Sequence, residues 1–190
     1  LGEPSASLTW LPLLFGAVAW GVVYLTLPRP MLIYVFGHEL THVIWGWLFE
    51  AKLKRFRVSA RGGQVVLTHA NFLIVLAPYF FPLYALVVTG LYAVVSLVGQ
   101  GDWLRPVFLL LLGAAYAFHV TLTWHALQSE QTDITSQGTV FSMVVIWLGN
   151  AMVLLLLLPP VVQVSMRAAF ERLGSATWFV VRGLGRLIGF

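Results

Sequence analysis

His38, Glu39 and His42 are the residues whose types and spacing best suit catalysis. They form a His-Glu-x-x-His pattern inside an apolar stretch. Side chains four residues apart share one face of a helix, so both imidazoles can take positions around a tetrahedral zinc ion. In this pattern a third protein ligand comes from elsewhere in the chain, and the glutamate accepts a proton from water at the metal. We therefore predict one Zn²⁺ per chain, bound by His38 and His42, with Glu39 as the catalytic base.

The apolar surroundings of Glu39 support this interpretation. A charged side chain at the centre of a bilayer costs about 2.5–3.5 kcal/mol on insertion scales, so Glu39 needs a compensating partner or a water-filled cavity. The alternative is that the three ionisable residues only pack against polar partners, as an isolated buried histidine commonly does. The complete motif in such a setting favours metal chemistry.

The composition is that of an integral membrane protein. Hydrophobic residues make up 59% of the chain and charged residues 9%, against about 45–50% and about 25% in soluble domains. Apolar runs long enough to cross a bilayer predict an all-α membrane protein with about five transmembrane helices. Pro78 and Pro82 should kink or split the third run. These runs cover residues 8–27, 31–49, 72–98, 103–127 and 139–162.

The positions of charged residues bear on partners and orientation. The net charge of +4 comes from basic residues at the ends of the apolar runs, which suits anionic lipid head groups rather than nucleic acid. The basic loop after the second run should be cytoplasmic, which predicts an active site towards the cytoplasm. We expect a multi-pass protein, in a prokaryotic inner membrane. That loop holds Lys52, Lys54, Arg55, Arg57 and Arg61. The chain has no cysteine, which excludes disulfides and thiolate zinc ligands.

Domain organisation is predicted to be simple. Residues 1–165 read as one polytopic membrane domain. Residues 166–190 read as a basic amphipathic tail, with Trp178 and Ile188 on an apolar side and Arg182 and Arg186 on another. An ordinary solvated helix end is the alternative for this tail.

Residues 52–68 alternate basic and apolar side chains around Gly62 and Gly63, which predicts a β-hairpin at the membrane surface. The exposed edge of a hairpin can bind an extended segment of another chain through backbone hydrogen bonds. We therefore predict Gln64 and Val66 as substrate-binding residues. The alternative is a connecting hairpin with no substrate contact.

The third metal ligand must come from elsewhere in the chain. Asp133 lies in a polar interruption between the last two apolar runs, and two His with one carboxylate form a known catalytic zinc set. Its alternative role is to cap the following helix. His125 stays open as a second candidate ligand and His119 as a weaker one. They lie six residues apart on different helix faces, so they are not expected to bind one metal together. His69 and Glu130 are expected nearer the surface.

Two asparagines lie at apolar depth. Asn71 begins the third run and Asn150 interrupts the fifth. Each could donate a hydrogen bond to a substrate carbonyl or a developing oxyanion, so both are predicted substrate-binding residues. Hydrogen bonding between helices is the alternative for both.

These motifs resemble the site-2 protease family of intramembrane zinc metalloproteases. The resemblance rests on the motif from His38 to His42 on an early transmembrane helix and on an aspartate two apolar runs later, and it covers about residues 31–138. It implies zinc ligands His38, His42 and Asp133, Glu39 as general base, and single-span membrane proteins as substrates cut within or near the bilayer. The sequence departs from that family after Asp133, where Ile134 stands in place of the usual glycine.

Three functions follow from these features. The first is a zinc metalloendopeptidase that hydrolyses peptide bonds of membrane-spanning proteins. The second is a catalytically silent zinc-binding subunit of a membrane protein complex, in which an intact general base has no role. The third is zinc transport, which predicts ionisable residues spread along a path rather than gathered at one motif.

Overall fold

The computed structural model describes residues 10–99, 101–128 and 131–162, together with Glu171 and Ser175. In this part of the chain there are seven helices and one two-stranded antiparallel sheet. The elements in chain order are α1 (Leu11–Thr26), α2 (Met31–Leu48), β1 (Leu53–Ser59), β2 (Gly62–Leu67), α3 (Phe72–Phe80), α4 (Leu83–Leu97), α5 (Gly101–Leu127), α6 (Thr132–Gln137) and α7 (Thr139–Val162). The predicted helical fold with a small hairpin is confirmed.

The chain divides into two compact units, Leu1–Asn150 and Ala151–Phe190. The first unit holds every residue of the predicted site. Of the second unit, the structure describes the continuation of α7 to Val162 and the helical residues Glu171 and Ser175. The predicted tail at 166–190 otherwise lies outside the described residues, so the proposed domain boundary stays a prediction.

Six of the seven described helices fall on the five predicted apolar runs, and α6 lies between the last two runs. The candidate spans in the described ranges are fewer than the five predicted. Among the described residues, two helices are long and apolar enough to cross a membrane alone, Trp103–Leu127 and Thr139–Leu157. Two bent pairs, α1 with α2 and α3 with α4, pass the same criteria together and bend by 119° and 75°. The number of candidate spans is therefore two, or up to four if each bent pair is one span.

Prolines explain both bends. Pro28 and Pro30 lie between α1 and α2, and Pro82 lies between α3 and α4. Proline has no N–H to donate to a helix and disfavours the helical conformation of the residue before it. The third apolar run is split as predicted, so its first part is the short helix α3.

Helix α5 is supported by close packing against α1. Gly16 lies against the backbone of Leu110, and Gly113 lies against the backbone of Leu13, where a side chain on either glycine would clash. The indole of Trp20 also donates a 2.8 Å hydrogen bond to the hydroxyl of Thr121. The two glycines let the helices approach closely, and the hydrogen bond joins them.

The hairpin lies against α2. Strands β1 and β2 pair with Phe56 opposite Val65 and Val58 opposite Gly63. Phe56 packs edge-on against Phe36 of α2, with ring centroids 6.1 Å apart. The turn is closed at Gly62, whose φ of 144° suits glycine. The hairpin is thus placed beside the helix that carries the His-Glu-x-x-His motif.

A buried cluster sets α6 against α3. Tyr79 and Phe80 of α3 pack with Ile134 of α6 and Ile146 of α7. The hydroxyl of Ser142 donates a 3.1 Å hydrogen bond to the carbonyl of Ile134. This packing fixes the short helix that carries Asp133.

Candidate metal centre

The two motif histidines project from one face of α2. Their ring centroids are 5.0 Å apart, and the rings meet nearly edge to face. Their side chains are 10% and 12% exposed. The unbroken helix through Met31–Leu48 places them as the four-residue spacing predicts.

Asp133 completes a group of three potential ligands. Its Oδ2 lies 3.5 Å from Nε2 of His38 and 3.5 Å from Nε2 of His42. Two ligand atoms bound at about 2.0–2.1 Å to a tetrahedral zinc ion are separated by about 3.4 Å. The distances and the donor set therefore fit Zn²⁺, and the three residues could hold a metal ion.

His42 is oriented by helix α3. Its Nδ1 lies 2.8 Å from the carbonyl oxygen of Ile74. A carbonyl only accepts hydrogen bonds, so Nδ1 carries the proton, and Nε2 faces Asp133. Partners of this kind fix the tautomer and ring orientation of metal-binding histidines.

The ring of His38 is oriented by its aromatic neighbours. Its ring packs edge-on against Tyr79, with centroids 5.3 Å apart, and lies 5.9 Å from the ring of Tyr34. Its Nδ1 is buried and has no hydrogen-bond partner among the described residues. Packing therefore sets the orientation of this imidazole.

The carboxyl of Asp133 is adapted to carry a negative charge. Burial alone would raise its pKa, but the interactions with the imidazoles of His38 and His42 outweigh burial and lower the pKa below its ordinary value. The Tyr79 hydroxyl also donates a 3.1 Å hydrogen bond to Oδ2. Asp133 is therefore ionised at neutral pH, as a metal ligand must be.

Asp133 does not cap helix α6. The N-cap position is Gln131, and Asp133 lies in the first turn with its side chain directed to the histidines. The capping alternative considered for this residue is therefore wrong. The polar interruption in the sequence instead places the carboxylate of Asp133 beside the histidines of α2.

Glu39 lies beside this group in a cavity of about 1030 Å³. The cavity is lined by His38, Glu39, His42 and Asp133, by the hairpin turn, and by residues of α3 and α5. The Glu39 side chain is 8% exposed and touches Gly63 of the hairpin. Because a large polar cavity reaches this carboxylate, water has room to approach it.

The other candidate ligands lie outside the group. His125 lines the same cavity but is not one of the three converging residues. His119 is buried in α5 and faces a separate apolar cavity that Asn150 also lines. The Nε2 of His69 lies 2.9 Å from the carbonyl of Phe49 at an exposed position. Glu130 lies outside the described residues.

The predicted substrate-binding residues occupy different places. Gln64 is exposed and lines the cavity, whereas Val66 is half-buried and does not line it. The side-chain oxygen of Asn71 caps α3 by accepting from the N–H of Ile74 at 2.9 Å. Asn150 donates to the carbonyls of Ile146 and Tyr79 at 2.9 and 3.2 Å. Asn150 therefore makes the hydrogen bond between helices that was its alternative role, whereas Asn71 caps its own helix, a role that was not predicted.

Three features of the site were not predicted from the sequence. They are the carbonyl of Ile74, the hydroxyl of Tyr79 and the contact of Gly63 with Glu39. A signal for the first does exist, since Pro78 stands four residues after Ile74 and cannot donate to its carbonyl. A tyrosine at apolar depth beside that proline is a weaker signal for the second.

No protein-family model, curated protein or solved structure matches the chain. The function is therefore inferred from the residues of the centre themselves.

Proposed function

We propose that this protein is an intramembrane zinc metalloprotease, similar in its chemistry to site-2 proteases. The observation that supports this most directly is the convergence of His38, His42 and Asp133 beside Glu39 in one polar cavity. A purely structural zinc site is normally closed by four protein ligands. Among the described residues this group has three, which leaves a position for water or substrate.

The proposed roles follow from the atoms present. Zinc bound here would act as a Lewis acid towards the scissile carbonyl and make water more acidic. A carboxylate oxygen of Glu39 accepts the proton of the attacking water and then donates it to the nitrogen of the leaving amine. Nδ1 of His42 keeps its proton and its hydrogen bond to the Ile74 carbonyl throughout, so the imidazole stays oriented.

Substrate access is proposed along the hairpin. Peptide bonds inside a helix are shielded, so the substrate must present an extended segment to Glu39. Strand β2 contributes Gly62, Gly63, Gln64 and Val65 to the cavity wall, and an extended segment can add to a strand edge by backbone hydrogen bonds. We propose that a single-span membrane protein, locally unwound, is held there next to Glu39.

Cleavage of a panel of single-span proteins by the purified protein in liposomes tests this function. Glu39→Gln keeps the shape of the side chain and removes the base, so we expect cleavage to fall by about 10²–10⁴-fold while zinc stays bound. Glu50→Gln is the matched control, because Glu50 is exposed at the end of α2 and does not line the cavity.

Two results would contradict the proposal. Equal cleavage by wild type and Glu39→Gln would remove Glu39 from the mechanism. Stoichiometric zinc without cleavage of any panel member would instead support the zinc-binding subunit, in which the metal serves stability alone.

A further inference from the structure

Helix α3 touches two of the three ligand residues, although it contributes no ligand itself. The carbonyl of Ile74 contacts His42, and the hydroxyl of Tyr79 contacts Asp133. We propose that Pro78 and Tyr79 are positioning residues of the metal centre: Pro78 leaves the Ile74 carbonyl free for His42, and Tyr79 holds the carboxylate of Asp133. This inference rests on the metal centre of the proposed function.

Pro78 explains why the Ile74 carbonyl is available. In an α-helix the N–H of residue 78 bonds to the carbonyl of residue 74. Pro78 lies inside α3 and has no N–H. The carbonyl therefore lacks its usual helical donor and instead accepts the 2.8 Å hydrogen bond from Nδ1 of His42.

Tyr79 explains how Asp133 keeps its position when the metal binds. In the absence of metal, Nε2 of His38 or of His42 can donate to Oδ2 when that nitrogen carries a proton. A bound metal would take up the lone pair of each Nε2, so neither nitrogen could then donate to the carboxylate. Among the described residues, Tyr79 is then the donor to this carboxylate that is not itself a ligand.

Tyr79 is rigid enough for this role. Its side chain is 1% exposed and packs with Phe80, Ile134 and Ile146. Its own carbonyl lies in the last turn of α3, where the helix no longer supplies a donor, and the amide of Asn150 bonds to it at 3.2 Å. The position of the hydroxyl is thus fixed by the packing of the ring and by the hydrogen bond to the backbone of Tyr79.

Zinc affinity of the full chain in detergent tests the Tyr79 contact. Tyr79→Phe keeps the ring and removes the hydroxyl, so we expect the zinc dissociation constant to rise by about 10–100-fold, as for other outer contacts of metal ligands. The visible absorption bands of Co²⁺ bound in place of zinc should shift, because the carboxylate geometry changes. Tyr84→Phe is the matched control. The Tyr84 hydroxyl donates at 2.6 Å to a backbone carbonyl of α2, that of Ile33, rather than to a ligand residue.

Pro78→Ala is expected to change the zinc affinity and the stability of the metal-free protein in opposite directions. Pro78→Ala restores an N–H that competes for the Ile74 carbonyl, so zinc affinity should fall by about tenfold or more. The melting temperature of the metal-free protein should rise, because proline disfavours a helix interior. Pro106→Ala, inside α5, is the matched control and should leave zinc affinity unchanged.

The outcomes separate this inference from the proposed function. A wild-type protein that binds no zinc would overturn both. Wild-type zinc binding with the same affinity and Co²⁺ spectrum in Tyr79→Phe and Pro78→Ala would overturn the positioning roles alone. A parallel fall of zinc affinity and metal-free melting temperature in Pro78→Ala would assign that residue to packing and contradict its positioning role.

Discussion

Gly63 of the hairpin lies directly against the side chain of Glu39. A methyl group built on Gly63 would stand 2.5 Å from Oε1 of Glu39, well inside van der Waals contact. The carboxylate is therefore confined between α2 and the hairpin. This contact couples the proposed catalytic base to the element that is proposed to bind substrate.

Gly63→Ala should impair cleavage without removing the metal. The added methyl group forces Glu39 or the hairpin to move, and small displacements of catalytic groups cost up to about 10²-fold in rate. We expect cleavage to fall by about 10–100-fold while bound zinc stays at the wild-type level. Gly90→Ala is the control, because nothing lies within 4 Å of a methyl group at that position. Unchanged cleavage by Gly63→Ala would show that the contact is not needed.

Asn150→Leu distinguishes a structural role from substrate binding. The substitution leaves the Tyr79 carbonyl without its side-chain donor, and a buried unsatisfied polar group costs about 1–3 kcal/mol. We expect a lower melting temperature in detergent. The KM of the folded protein should change little. A raised KM with unchanged stability would restore the sequence-based prediction that Asn150 binds substrate.

Gln64→Ala tests the hairpin as a substrate-binding element. Gln64 is exposed on β2 and lines the cavity. Loss of one hydrogen bond to substrate, worth about 1 kcal/mol, should raise KM about fivefold with kcat unchanged. Arg55→Ala is a suitable comparison, since Arg55 is exposed on β1 and does not line the cavity. Equal KM values for wild type and Gln64→Ala would remove this residue from the binding surface.

Orientation can be measured because the chain has no cysteine. A single cysteine introduced by Lys54→Cys on the exposed part of the hairpin can be labelled with a membrane-impermeant maleimide. The cluster of basic residues predicts a cytoplasmic hairpin. The label should therefore react in inside-out vesicles and not in intact cells. Labelling of intact cells would reverse the predicted orientation.

The fold was predictable because apolar runs and prolines act locally. Long runs without charge form helices in a membrane, since every backbone polar group must be satisfied within the segment. Pro82 stands between α3 and α4 and splits the third run as expected, whereas Pro78 lies inside α3. The alternation around Gly62 and Gly63 predicted the hairpin, in which these two residues begin β2 directly after the turn.

Only those site residues could be predicted whose side-chain type and position in the sequence indicate a chemical role. His38, Glu39 and His42 carry a recognisable spacing, and Asp133 is a carboxylate in a polar interruption. The residue type of Ile74 does not indicate its role in the site, because that role belongs to its backbone carbonyl. The role of Tyr79 depends on how α3 packs against α6, which is a tertiary contact between residues 54 positions apart.

Zinc content of the purified protein tests the central claim most directly. Metal analysis of wild type, Asp133→Ala and His125→Ala compares the third ligand with the other cavity residue once considered for that position. We predict about one zinc per chain in wild type and in His125→Ala, and a loss of bound zinc in Asp133→Ala. A metal-free wild type, or zinc retained by Asp133→Ala and lost by His125→Ala, would contradict this metal centre.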